Sequence, residues 1–581
     1  GGGGGYDASS TARSPAYSLV VGGAGGGEDL GRTGASPHTT GTLSGGPYPA
    51  TAGGEGVKEA KPVQLIPSLF PHRKATVAID YPPYLGLRRN MGAGVTVLPA
   101  TSKRLPVFRI SESVHEYNCV RNAFLRAGFR RTNSGSNWNV LWGRHLKEEE
   151  YMRLNPYQKV NHFPGTWAMG RKDRLARNMA RMQREFGDHF DFHSHTYILP
   201  ADRLKLRSEM EADPKTLWIL KPCASSCGRG IRVVSHAAGS KIPRGKPYLA
   251  QKYVRHPFLI DGKKFDLRIY VLVTCFDPLR VYLFHDGLVR FCTEKYSTAM
   301  KNIKNRFAHL TNYSVNKKSS KFDKNQDAEE DGVGTKWSLQ ALRRWFRERD
   351  IDDDRVMANI KDVIIKTLIS CESHVGSLCG RYFRGRTPEQ PGSNCFEVFG
   401  FDVLLDRHLK AWILEVNVSP SLSSSSPLDK KIKNTLMTDA FHLMGVVPYD
   451  SKKHEKDTES RKMSRLLGLD KASRVGTTRH RNVRELSAMG PEDLLPDELS
   501  VICETEDELA RRGHFQRIFP AENAAYYLQF FETPRFNNVL LLMWLNKWKA
   551  MCDTGSVPRP RPLALTRARS DGSRGSRGSG G

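Results

Sequence analysis

The stretch AWILEVN (411–417) decides how this chain is read. In an extended strand successive side chains point to opposite faces. On that spacing Trp412, Leu414 and Val416 share one face, and Ile413, Glu415 and Asn417 share the other. A strand this apolar carries a carboxylate and an amide inward only for a reason. The preceding FEVFGFDVLLD (396–406) ends in RHLK, and a loop at 407–410 sets Asp406 opposite Ala411 and Asp402 opposite Glu415. Facing carboxylates repel, and burying them without a counter-charge costs on the order of several kcal/mol per ion. Unless the register is one residue off, two resolutions are open. A Lys or Arg pairs with one of them, or Asp402, Glu415 and Asn417 hold a hard divalent ion, for which an all-oxygen donor set suits Mg²⁺.

Other segments bear on that choice. In TLWILKPCASSCGRGIRVVS (216–235) Lys221 ends a strand, and Gly228 and Gly230 sit in a loop that either lets backbone approach a phosphate or makes an ordinary hairpin turn. The loop runs into a strand and lacks Gly-Lys-Ser/Thr, which excludes a Walker A loop. KKFDLRIYVLV (263–273) alternates cleanly: Lys264, Asp266 and Arg268 on one face, Phe265, Leu267 and Ile269 on the core face. Its neighbours are apolar on both faces, so a covered sheet is expected rather than a solvated one.

Bulk properties frame the partners. Lys and Arg outnumber Asp and Glu by 89 to 61 in 581 residues, which suggests an anionic partner: nucleic acid, a membrane surface or an acidic protein. No run of about 18 apolar residues occurs, so no membrane span is expected. The ten Cys are scattered without a Cys-x-x-Cys pair, pointing to a reducing, cytosolic setting. No RRM-like aromatic signature, zinc finger or basic zipper favours nucleic acid. His189, His193 and His195 lack a Cys or acidic residue at zinc spacing and read as core or surface histidines.

Composition divides the chain. Residues 1–100, rich in Gly, Ser, Thr and Pro, read as disordered. From Leu105 to Pro448 strands and helices mix in an α/β (α+β) core. In it RKDRLARNMARMQREFG (171–187) forms a basic helix closed by Gly187. Residues 449–520 read as a charged tail, strongly basic over 452–484 and acidic over 492–508. The remainder, 521–581, reads as a terminal helix and a loose basic end.

In order along the chain, NHFPGTWAMGRKDRL, WILKPCASSCGRGI, QKYV, KKFDLRIYVLV, HLTNYSVNK, FEVFGFDVLLD and WILEVNVSPSLSSSSPLD resemble the tubulin tyrosine ligase-like family, best in its glutamylase branch. The resemblance implies an ATP-grasp fold with N-terminal, central and C-terminal lobes. It further implies that Lys221, the loop Gly228, Arg229, Gly230 and Ile231, and Lys264 hold ATP phosphates. Gln251, Lys252, Tyr253 and Val254 would line the adenine pocket, with Asp266, Thr311 and Asn312 completing the nucleotide site. Asp402, Glu415 and Asn417 would ligate Mg²⁺. Lys221, Arg268 and Glu415 would be catalytic, and Arg268, Tyr313, Ser314, Lys336 and Lys433 would hold free glutamate.

The family's reaction joins free L-glutamate to a glutamate side chain of an acceptor through an acyl phosphate made from ATP. Its acceptors are acidic tails such as those of tubulin, with other acidic proteins as further candidates, and a basic segment within 450–485 would bind microtubules. A monomer in the cytoplasm, on the cytoskeleton or at a cilium or basal body is expected on the same ground. Elongating members read Asn-His-Ser-Pro where this chain has NVSP (417–420). Val418 can neither titrate nor hydrogen bond as His does, so the resemblance leans toward adding the first branch glutamate. A sister ligase adding glycine or tyrosine, and a non-catalytic binder of microtubules or nucleic acid, are the alternatives.

Overall fold

A computed structural model describes residues 61–560 except 224–227, 237–241, 244, 324–326, 328–330, 384–392 and, between 450 and 481, all positions but 455, 456, 459, 460, 463 and 466. Ordered chain begins well before Leu105. Strands β1 (Val63–Ile66), β2 (Thr76–Val77) and β3 (Thr96–Leu98) form an antiparallel sheet in the order β2–β1–β3. The disorder expected for 1–100 is therefore corrected over 63–98. Few apolar residues lie there, but Val63, Val77 and Ile79 are fully buried in the core beyond, which a window of composition does not register. The Gly-rich run 1–60 lies outside the described residues.

The N-terminal lobe is a parallel sheet, β5–β4–β6–β7, of β4 (Val107–Ile110), β5 (Arg130–Thr132), β6 (Val140–Trp142) and β7 (Lys159–Val160). Parallel neighbours need a crossover, and helix Asn118–Arg126 supplies it between β4 and β5. The central lobe is antiparallel, β10–β9–β11–β8, built from β8 (Thr196–Leu199), β9 (Trp218–Pro222), β10 (Arg232–Val234) and β11 (Tyr248–Lys252). Leu206 and Met210 of helix Arg203–Ala212 cover one side of it.

The C-terminal lobe holds β12 (Leu259–Ile260), β13 (Lys263–Phe276), β14 (Leu279–Lys295), β15 (Lys336–Ser338), β16 (Glu397–Leu405) and β17 (Ala411–Asn417), in the order β15–β14–β13–β16–β17 with β12 on β13. One face packs through Phe265, Leu267, Ile269, Phe401 and Val416 against helix Asp353–Tyr382 and the basic helix Lys172–Phe186. Tyr270 and Leu272, on the other face, pack against helix Pro427–Met444. Toward the start of β13 that same face carries Arg268, Asp266 and Lys264. There the short helix Arg306–His309 meets the strand at Lys264, and the functional groups begin.

The hairpin departs from expectation in two compensating ways. Leu405, not Asp406, lies opposite Ala411, one residue off. A bulge between Ile413 and Glu415 then inserts Leu414 and restores Asp402 opposite Glu415. The bulge also corrects the faces. Ala411, Ile413 and Val416 are all buried in the core, while Leu414 and Glu415 both turn away from it, with Asn417.

The tail is likewise corrected where it is described. The acidic run folds as helix Pro496–Ala510, and β18 (Phe515–Phe519) pairs with β14 and extends the main sheet. Trp544 and Trp548 pack with Ile502, Cys503 and Phe70 in a core of their own. The basic stretch 450–481 and the last residues, 561–581, lie almost wholly outside the described residues.

Candidate active site

Register across the main sheet sets two rows of charge on the face that carries Lys264, Asp266 and Arg268, all three buried. One row runs Lys336 on β15, Arg290 on β14, Asp266 on β13. The next runs Arg268 on β13, Asp402 on β16, Glu415 on β17. Arg290 grips Asp266 with both arms at 2.7 Å and reaches Asp402 Oδ2 at 2.9 Å. Arg268 donates Nε to Asp402 Oδ1 at 2.6 Å and Nη2 to Oδ2 at 3.1 Å. Burial pushes the Asp402 carboxyl up, but Arg268 and Arg290 outweigh it and hold it well below the usual carboxylate range. The pairing resolution left open by the sequence therefore holds for Asp402. Thr311 caps the first row, its hydroxyl donating to Asp266 Oδ2 at 2.5 Å.

Lys221 arrives from the central lobe. Its ammonium donates to Gln251 Oε1 at 2.7 Å and to the Leu414 carbonyl, freed by the bulge, at 3.5 Å. Burial brings its pKa down to about 8, with Glu415 pulling the other way. Lys264 donates to Tyr253 Oη at 3.0 Å and His309 O at 3.2 Å, and burial lowers it too. The glycine loop closes over Asn312. A Cβ on Gly228, whose φ is +69°, would meet Asn312 Oδ1 at 2.6 Å, so Gly is required there. Ile231 and Val254 are half-buried; Arg229, Gly230 and Lys252 are exposed.

The two lysines assigned to an amino acid ligand converge on one carboxylate. Lys336 Nζ lies 2.6 Å from Asp429 Oδ2, Lys433 Nζ 2.9 Å from Oδ1, and the Tyr313 ring sits 4.6 Å from Lys336 Nζ. Ser314 shares the short helix Tyr313–Asn316. Burial raises the Asp429 carboxyl, but Lys433 and Lys336 bring it to about 2. A depressed folded value means that its stabilisation is present above the unfolded value near 4 and is lost as pH falls through about 2. Its worth at neutral pH is on the order of 2 kcal/mol. Asp429→Asn is expected to unfold less steeply than the parent between pH 4 and 2 in an acid titration followed by circular dichroism.

Glu415 and Asn417 open onto a cleft of about 680 Å³ that Arg171, Lys172, Arg174 and Arg229 also line. Lys172 Nζ stands 2.9 Å from Glu415 Oε2, so a cation is already accommodated there. Asn417 Nδ2 donates to Gly400 O at 3.2 Å and Glu415 Oε1 at 3.4 Å, which leaves the amide oxygen for a ligand. This donor set fits a hard divalent ion, with Asp402 behind it.

Sequence reading missed three members: Arg290, Lys172 and Asp429. Arg290 had a signal, since it breaks an apolar strand at the parity opposite Val289 and Phe291, both in the core. Lys172 was one cation among several in its helix, and Asp429 looks like a helix-start residue, its amide indeed capped by Ser426. The clustered histidines part company: His193 meets Gln251, His189 meets Tyr526, His195 lies near Glu209. Among the described residues His145, His162 and Glu397 do come together. The two rings are 13° from parallel with centroids 4.2 Å apart, so one ion cannot lie in both ring planes. Glu397 instead accepts from Phe163 N at 3.0 Å and pairs with His162 Nδ1 at 2.7 Å. It ties the N-terminal lobe to β16.

Residues 148–455 match the tubulin-tyrosine ligase family. The chain is 40% identical over 502 residues to the human tubulin monoglutamylase TTLL4, covering 83% of this chain and 40% of that protein. It is 37% identical over 445 residues to the human tubulin polyglutamylase TTLL5, covering 73% and 34%. With the tubulin polyglutamylase ttll-4 of Caenorhabditis briggsae the identity is 37% over 452 residues, covering 73% and 71%. The chain thus spans about two fifths of the length of the TTLL4 relatives that it matches. With more than half of its residues inside the family match, and with the α/β lobes that the ATP-grasp-like fold of that family requires, the chain belongs to the tubulin-tyrosine ligase family.

Proposed function

We propose that the chain is an ATP-dependent glutamylase that joins the amine of free L-glutamate to a side-chain carboxylate in acidic tails of tubulin. The observation that carries this reading is the double row of charge, Lys336–Arg290–Asp266 and Arg268–Asp402–Glu415, with buried Lys264 on the same face of β13 and buried Lys221 reaching in from the central lobe. A pure binding module has no use for carboxylates and cations stacked in a covered sheet. Bound ATP would supply the phosphoryl group that activates the acceptor carboxylate, and Glu415 and Asn417, with Asp402 behind, would hold a Mg²⁺ to offset phosphate charge.

The chain's own groups do the rest. Lys221 and Lys264 lie ready for phosphate oxygens, desolvated and so more strongly attracting. Arg268, fixed by Asp402, presents its guanidinium where negative charge develops on the acceptor carbonyl, and a group held in place needs no reorganisation as that charge grows. Lys336 and Lys433 share the single carboxylate of Asp429 and so carry one positive charge more than it balances, a surplus that suits a donor with a side-chain carboxylate and favours glutamate over glycine or tyrosine. Apolar Val418 supports starting a branch over lengthening one, a preference that relative turnover of unmodified and branched peptides tests. Cytoskeletal location follows from the acceptor.

The decisive measurement is ATP-dependent incorporation of labelled glutamate, glycine or tyrosine into purified tubulin. Glutamate alone is expected. Glycine or tyrosine in its place would overturn the donor assignment, and no incorporation of any of the three would sink the enzymatic reading.

A further inference from the structure

The basic helix Lys172–Phe186 buries Leu175, Met179 and Met182 in the main core. Its other side carries arginines at 171, 174, 177, 181 and 184. Arg171, Arg174, Arg177 and Arg184 are exposed and Arg181 is half-buried, its Nη2 donating to Ser370 O at 2.8 Å. Arg174 and Arg181, like Arg177 and Arg184, are seven residues apart and fall nearly on one line. The stripe runs about 20 Å at 1.5 Å per residue. It begins at the cleft, whose wall includes Arg171, Lys172 and Arg174 beside Glu415 and Asn417.

A solvated helix face needs polarity, not one sign. Cations three and four residues apart repel, and cations in a first turn oppose the positive end of the helix dipole. Asp173, which pairs with Arg171 at 3.1 Å and lies 3.9 Å from Arg177, is the stripe's one acidic neighbour in that turn. Asp173, and Glu185 beside Arg181 and Arg184, offset only part of that repulsion: five arginines against two acids leave the face net positive, and an anion lying along it relieves what remains.

We infer that the arginine stripe of the basic helix is a docking rail for an acidic peptide segment, leading the acceptor's acidic run to the cleft at Glu415. An extended chain covers the rail with about six residues at 3.3 Å each, so a run of several carboxylates fits where a single one would not. This deepens the reading of the site as a glutamylase by stating how its acceptor is held. It predicts that acidity beyond the modified residue, not only at it, sets affinity.

The test begins with equilibrium binding, which needs no catalysis. A fluorescein-labelled peptide of ten glutamates is titrated with the full chain and followed by anisotropy. Arg177→Glu/Arg184→Glu is expected to weaken binding about tenfold, which corresponds to about 1.4 kcal/mol. Salt should shrink the difference between variant and parent. Lys103→Glu/Arg104→Glu, which changes charge equally at two other exposed positions, is expected to weaken it less than twofold. In turnover, the rail variant should raise KM for acceptors with a long acidic flank and leave kcat at saturation.

Equal weakening by both double variants would reduce the rail to bulk charge and overturn the inference, as would unchanged binding in the rail variant. Displacement of the peptide by single-stranded DNA at lower concentration than by polyglutamate would overturn the assignment to an acidic peptide. Binding that follows the rail, in a protein that incorporates no amino acid, would leave the rail standing and remove the glutamylase instead.

Discussion

Glu415→Gln is expected to lower ATP-dependent glutamate incorporation by about a thousandfold while leaving the unfolding midpoint close to the parent's. The substitution keeps the shape and one carbonyl oxygen and removes only the charge. Glu415 sits at the cleft with its side chain 23% exposed, and its ion-pair partner Lys172 is 16% exposed, so the protein can tolerate its neutralisation. On the proposed reading, the divalent ion that Glu415 would hold, and the phosphate charge that it would offset, cannot. Asp402→Asn makes the contrast. Its side chain is 4% exposed and clamped by two arginines, so the same chemical change there strands buried Arg268 and Arg290 against fewer anions and costs stability as well as activity. Incorporation by Glu415→Gln above about a tenth of the parent rate, well short of the loss expected for an ion ligand, would remove Glu415 from the metal site.

Arg280→Ala is expected to destabilise the fold by about 3–5 kcal/mol, read as a fall in unfolding midpoint on heating or in denaturant. Arg280 lies on β14 with its side chain 2% exposed, and Nη2 reaches Glu504 at 2.5 Å and Glu508 at 2.9 Å on helix Pro496–Ala510. Thr274 and Tyr282 also donate to Glu508, at 2.8 and 3.1 Å. Removing the guanidinium leaves buried Glu508 without a counter-charge beside half-buried Glu504. Arg280→Met/Glu508→Met, which removes a charge of each sign, should recover part of the loss, since the pair itself contributes less than its breaking costs. A loss under about 1 kcal/mol, the range of an exposed pair, would show that this helix is a dispensable tail after all.

That helix marks the limit of reading by composition. The run 492–508 that contributes most of it, eight acidic residues without a basic one, looks like a solvated charge run, and only Arg280, more than 200 residues earlier, reveals what Glu504 and Glu508 are for. The same holds for Asp429, which makes sense only beside Lys336 and Lys433, and for the strands of 63–98, whose few apolar residues are spent on a core that other segments build.

Period-two alternation alone determined which face of β13 carries Lys264, Asp266 and Arg268, because a slip of one residue would send Phe265, Leu267 and Ile269 to the wrong side of the sheet. It also put Asp402 opposite Glu415, though by two errors of one residue that cancelled. A bulge is an extra residue with no composition of its own, and what selects it is the demand of the core for Ile413 and Val416 together. Tertiary structure decided the rest: that Arg268 and Arg290 let Asp402 be buried, and that Lys221 crosses from another sheet to the Leu414 carbonyl at the bulge. Local sequence specifies the direction in which a side chain points, but the partner it meets is set by strands and helices brought together from far along the chain.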